Sequence, residues 1–157
     1  MTSPLFFRTL GDPSNPPLII LHGLLGTSDN WQTLGKAYSE HFCVWLIDQR
    51  NHGRSPHFET HHYPELAQDL CAFMDEHGIE KAHVLGHSMG GKTALMFAHH
   101  HPDRLRKLIV ADMAVRAYDP HHQSIFDALL SAPIETASGR SEIENHLNAQ
   151  LGDSSMV

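Results

Sequence analysis

Val84-Leu85-Gly86-His87-Ser88-Met89-Gly90-Gly91 is the stretch from which the rest of the chain can be read. A short apolar run, His83 to Leu85, leads into Gly-x-Ser-x-Gly, and a helix-like stretch from Lys92 to His101 follows. A serine at a sharp strand-to-helix turn is forced out of both elements, so its hydroxyl stands above the end of a sheet. Gly86 and Gly90 flank it because side chains there would collide with the turn, and the N–H after the serine is left free to bind an oxyanion. The pattern is short enough to arise by chance, and its meaning comes from the strand and helix signals on either side. The stretch reads as a nucleophile elbow with Ser88 at its tip.

Working outward, Leu5 to Leu10 reads as a strand stopped by Gly11-Asp12-Pro13. Leu18 to Leu21 is a continuous apolar run of the kind buried on both faces of a parallel sheet. It delivers His22-Gly23-Leu24-Leu25-Gly26, whose glycines let backbone N–H groups approach a ligand. This loop is either a second oxyanion donor or a plain strand-to-helix turn. Asp29 with Gln32 has the spacing of a capping box, opening a helix to about Glu40. Phe42 to Ile47 is a second buried strand. Its charged end, with Asp48 and Arg50, reads as a loop-bracing hydrogen-bond network. Pro64 starts a helix with apolar residues at Leu66, Leu70, Phe73 and Met74, and Gly78 ends it. Leu108 to Ala111 is a further strand, carrying Asp112 at its C-terminal end.

Strands alternating with helices of this length imply right-handed crossovers and a parallel sheet, with ligands at the C-terminal strand ends. Leu24, Ser88 and Asp112 all fall at such ends, and their convergence is the strongest argument for a site. Beyond Asp112 the pattern changes to short amphipathic helices, Gln123 to Leu130 and Ser141 to Leu151, the second opened by Ser141-x-x-Glu144. These helices suit either a roof over a pocket or packing on the sheet flank. The expected organisation is a core over residues 1–116 and the start of a helical cap over 117–157.

The 157 residues carry 11 basic against 18 acidic side chains, a balance that disfavours a nucleic-acid surface. No stretch reaches the roughly 18 apolar residues of a membrane span, and Met1 to Pro13 lacks a basic-then-apolar export layout. A cytoplasmic location is expected, with Cys43 and Cys71 as buried free thiols. The 15 histidines form runs, but no His-Glu-x-x-His pattern occurs, so neither metal nor cofactor is expected.

Three motifs in order, His22-Gly23-x-x-Gly26, Asp48-x-Arg50-Asn51-His52-Gly53-x-Ser55 and Gly86-His87-Ser88-Met89-Gly90-Gly91-Lys92, resemble the α/β-hydrolase superfamily over about Leu18 to Val115. Most relatives carry glycine where this chain has Asn51. Asn-His-Gly, with Asp112-Met113-Ala114 after the next strand, is similar to a branch of small esterases acting on short acyl esters and acyl-CoA thioesters. The resemblance implies Ser88 as nucleophile, the N–H groups of Leu24 and Met89 as oxyanion hole, and Asp112 as the acid. It also implies a small-molecule acyl ester or thioester as substrate.

The resemblance departs at the base. The family's histidine follows a last strand that is not found here, and only His121, His122 and His146 lie after Asp112. No catalytic histidine is assigned. The expected fold is therefore a parallel-sheet α/β-hydrolase core, C-terminally truncated, with the start of a helical lid, and the chain as written is expected to be inactive. The Leu108 to Ala111 strand would leave an apolar edge open to pairing. Two other readings stand beside the esterase: a lyase of the menaquinone-pathway type with the same elbow, and a non-catalytic interaction piece. Asn51 and the Asp-Met-Ala segment favour the esterase over the lyase.

Overall fold

The computed structural model describes residues 4–116 and 123–152. The apolar run read as a doubly buried strand lies at the centre of a sheet. This strand, β2 (Pro17–Leu21), pairs in parallel with β3 (Cys43–Ile47) on one side and β4 (Ala82–His87) on the other. β5 (Leu105–Ala111) runs parallel beside β4, and β1 (Phe7–Leu10) lies antiparallel to β3 at the opposite edge. Among the described residues the order is β1-β3-β2-β4-β5. The antiparallel edge has a simple cause. The segment from Gly11 to Pro16 is too short for a crossover, so the chain must reverse between β1 and β2.

Alternation along the strands builds two cores. Ile19, Leu21 and Val84 face one side, under α2 (Tyr63–Glu76) and α3 (Met89–His100), which contribute Leu70, Phe73, Met74, Ala94 and Phe97. Leu18, Ile20, Val44, Leu46 and Leu85 face the other, packed with Trp31 and Tyr38. Tyr38 ends α1 (Gln32–Tyr38), which stops short of Glu40. Cys43 and Cys71 are buried and free.

Two helix starts differ from the sequence reading. Thr27, not Asp29, forms the box: Thr27 Oγ1 accepts the Asp29 N–H at 3.2 Å, and Asn30 Oδ1 accepts the Thr27 N–H at 2.7 Å. A 3₁₀ turn, Ser28–Trp31, precedes α1, so the first free N–H groups come earlier than expected. Gln32 still touches Asp29, as a side-chain bond of 2.8 Å.

A second compact unit begins at Val115 and is described by itself. It holds α4 (Gln123–Leu130) and α5 (Arg140–Leu151). The Ser141–Glu144 box is not formed. The helix starts at Arg140, which puts Ser141 inside the first turn, and Glu144 pairs with Arg140 at 2.6 Å. Glu142 instead accepts the N–H and hydroxyl of Ser138, both at 2.9 Å. Among the described residues no helix is long and apolar enough to cross a membrane.

Candidate active site

Ser88 stands between the last residue of β4 and the first of α3, with φ 50° and ψ −112°. Its N–H donates to the Ala111 carbonyl at 3.0 Å, and its carbonyl accepts the Lys92 N–H at 3.1 Å, so strand and helix both hold it. A left-handed backbone on a non-glycine residue costs on the order of 1–3 kcal/mol and persists only where the surroundings over-determine it. Here they do. A Cβ on Gly86 would strike the Gly90 carbonyl and come within 2.6 Å of the Gly91 nitrogen. A Cβ on Gly90 would strike the Leu21 carbonyl and come within 2.7 Å of that of His22. The elbow therefore rests directly on the backbone at the end of β2.

The next loop runs alongside it. A Cβ placed on Gly23 would lie 3.4 Å from Ser88 Cβ and 2.9 Å from His87 Nδ1. Gly23 and Gly26 close a turn, with the Gly26 N–H donating to the Gly23 carbonyl at 3.0 Å and Leu25 at φ 61°. No acceptor among the described residues takes the N–H of Leu24 or of Met89. Met89 opens α3, where backbone N–H groups lack intrahelical partners and favour negative charge. A cavity of about 530 Å³ opens on this side, lined by His22, Gly23, Leu24, Leu25, Trp31 and Leu34 among others, and reaching His87.

Asp112 follows β5 directly. His87 pairs with Ala111 in the strand register, so Asp112 takes the next position beside Ser88. Its backbone is left-handed, φ 53°, and its carboxylate is 87% exposed, 3.6 Å from His87 Nε2.

The segment after β3 grips the Gly23 loop from beneath. Asp48 accepts the Ser28 N–H at 2.6 Å and the Arg54 N–H at 2.9 Å. Gln49 donates its backbone N–H to His22 Nε2 at 3.0 Å and its side-chain amide to the His22 carbonyl at 2.8 Å. His52 Nε2 accepts the Leu25 N–H at 3.2 Å, and its Nδ1–H donates to the Arg50 carbonyl at 3.0 Å. Arg50 is buried against Asp69 of α2 through two bonds, 2.6 and 2.8 Å, which raise its pKa. Asn51, at φ 64°, takes the Phe58 N–H on its side-chain oxygen at 2.6 Å. The bracing role read for Asp48 and Arg50 is what these bonds describe.

These contacts also decide which histidines are engaged elsewhere. His22 donates Nδ1–H to the Gly23 carbonyl at 2.8 Å, so both its ring nitrogens face main-chain groups, as do those of His52. Burial, opposed by the Gly23 bond, lowers the His22 pKa. His146 lies in the second unit, 3.0 Å from Ser131 Oγ. His121 and His122 lie outside the described residues. Among the described residues no three His, Cys, Asp or Glu side chains form a metal-binding group.

The structure thus gathers Ser88, Met89 and Asp112 at adjoining strand ends, with Leu24 on the loop beside them. Sequence reading placed His52 only within the Asn-His-Gly motif and gave Thr27 and Asn30 no role. Thr27-x-x-Asn30 was a visible capping signal, whereas nothing in the sequence marked the His52 contact with Leu25.

Comparison with known proteins agrees with this fold. A family model described as alpha/beta hydrolase fold matches residues 16–154. A putative esterase/lipase of Haemophilus influenzae is 35% identical over 145 residues, covering 92% of this chain and 50% of that protein. The sn-1-specific diacylglycerol lipase ABHD11 of Mus musculus is 37% identical over 133 residues, covering 82% and 43%. A solved structure named as a marine microorganism esterase superposes with a TM-score of 0.93 at 45% identity, covering 98% of this chain and 60% of that one. The chain spans about half the length of the curated relatives it matches. On the family match, the elbow and the sheet, this chain belongs to the α/β-hydrolase fold family.

Proposed function

We propose that this protein hydrolyses carboxylic esters through an acyl-enzyme on Ser88. The observation that carries the reading is Ser88 held at φ 50° between β4 and α3, with the N–H of Met89 beside it unengaged among the described residues. A histidine takes the Ser88 proton as Oγ attacks the acyl carbonyl carbon, and the resulting oxyanion lies between the N–H groups of Leu24 and Met89. The leaving alkoxide departs with the histidine's proton. Water, deprotonated by the same histidine, then attacks the acyl-serine and releases the carboxylic acid. Asp112 orients that histidine. His22 and His52 are not the base, since both rings are engaged by main-chain groups.

Relatives named as esterase and as diacylglycerol lipase support an ester of a small alcohol or glyceride as substrate. An acyl-CoA thioester would follow the same course with a thiolate leaving group. The apolar cavity beside Leu24, Leu25 and Leu34 suits the acyl chain. The test is hydrolysis of p-nitrophenyl acetate and butyrate by the protein at the full length its cells make. Ser88→Ala should lower turnover by at least about 10³-fold, and a fluorophosphonate should add its mass to Ser88. Turnover unchanged in Ser88→Ala would end this reading.

A further inference from the structure

We propose that His52 is a positioning residue whose Nε2 holds the Gly23–Gly26 turn in the form that presents the Leu24 N–H to Ser88. The proposal rests on the acyl-transfer reading and deepens it. Positive φ at the third residue of a four-residue turn marks type II, where glycine or asparagine is the ordinary occupant. Here the occupant is Leu25, at φ 61°. A leucine in this region crowds its own carbonyl, a cost on the order of 1–2 kcal/mol. It would relax by flipping the Leu24–Leu25 peptide, the motion that converts a type II turn to type I.

His52 opposes that flip. Its Nε2 accepts the N–H of this same peptide at 3.2 Å, and a flipped peptide would aim a carbonyl oxygen at the ring's lone pair. The ring is itself fixed. Nδ1 must carry the proton, because it faces the Arg50 carbonyl at 3.0 Å, and this leaves Nε2 an acceptor. The side chain is buried, with the rings of His22 and His61 flanking it at centroid distances of 5.0 and 5.5 Å. Asp48 and Gln49 hold the loop at Ser28 and His22, on either side of the turn, and neither reaches the central peptide. Release of that peptide would tilt Leu24 and move its N–H away from the oxyanion. Misplacement of a reacting group by about 1 Å costs on the order of 10²-fold in rate.

The experiment compares His52→Asn with His52→Gln in the full-length protein. Asparagine keeps a donor for the Arg50 carbonyl and lacks any acceptor at the Nε2 position, whereas the glutamine amide oxygen reaches it. Rates are taken per active site, counted by complete labelling with a fluorophosphonate, so that unfolded protein does not enter. His52→Asn is expected to lower kcat on p-nitrophenyl acetate at least about tenfold with KM nearly unchanged. It should weaken a trifluoromethyl ketone, which binds as a hemiketal oxyanion, by a similar factor, and His52→Gln should restore most of both. Unchanged kcat per site in His52→Asn overturns the proposal. So does a fall in kcat without weaker ketone binding, since His52 would then act elsewhere. Should hydrolysis by the parent survive Ser88→Ala, the acyl-transfer reading itself fails, and that result is seen before any His52 variant is made.

Discussion

His22 shows how a single side chain can tie stability to pH. Its imidazole is 1% exposed, with its ring nitrogens facing the Gln49 N–H and the Gly23 carbonyl. Burial lowers its pKa below the ordinary 6.5, and burial does the same at His61 and His83. In the unfolded chain these rings take up protons near pH 6.5, while the folded protein resists protonation until lower pH. Their contribution to stability is therefore whole above about 6.5 and is lost as pH falls from there toward the depressed folded values. The urea midpoint should drop between pH 7.5 and pH 5.5. A midpoint that stayed level or rose would contradict this assignment. At this scale the sequence was legible where chemistry is local: Gly-x-Ser-x-Gly marked Ser88 because its glycines are demanded by sterics within a few residues. It was silent on His52, whose partner lies 27 residues away along the chain and is a backbone N–H, a group every non-proline residue carries.

Between elements, the Arg50–Asp69 pair fastens the loop after β3 to α2. Both side chains are buried, and the guanidinium also lies over the Phe58 ring at 4.8 Å from its centroid and donates to Thr60. Removing one member of such a pair strands a charge in low dielectric and typically costs about 3–5 kcal/mol, whereas replacing both with apolar groups of similar volume is often neutral. Asp69→Ala should therefore lose stability on that order in urea unfolding, and Arg50→Met with Asp69→Leu should recover most of it. A loss under about 1 kcal/mol for Asp69→Ala would mean that the guanidinium is rehydrated. β2 and β3 were legible because each is an apolar run between turn residues. Helix starts were less so. Thr27, Ser28 and Asp29 all offer capping oxygens, and only the bend after Gly26 decides among them. The start of α3 at Met89 was hidden for another reason: Gly90 and Gly91 disfavour a helix by propensity, yet the close approach of β2 requires one of them.

For the molecule as a whole, alternation of strands and helices predicted a parallel sheet, and four parallel strands are present among the described residues. The antiparallel edge was not foreseen, because it follows from the shortness of one connection rather than from any strand's own residues. At the opposite edge β5 pairs only with β4 among the described residues, and Ile109 is 51% exposed. Such an edge is a template for pairing, and an inserted lysine blunts it. The 157-residue chain by itself should associate in sedimentation velocity, and Ile109→Lys should shift it toward monomer. Identical sedimentation of the two would remove the edge as a cause. One feature unites the strand ends. Leu25, Asn51, Ser88 and Asp112 are the non-glycine residues with positive φ among those described, and one follows each of the four parallel strands. The rim bearing the proposed chemistry is thus also where the backbone is least at ease. Selection for heat tolerance alone would be drawn to Leu25, Ser88 and Asp112, glycine being the relaxing substitute there, and would erode the site as it succeeded.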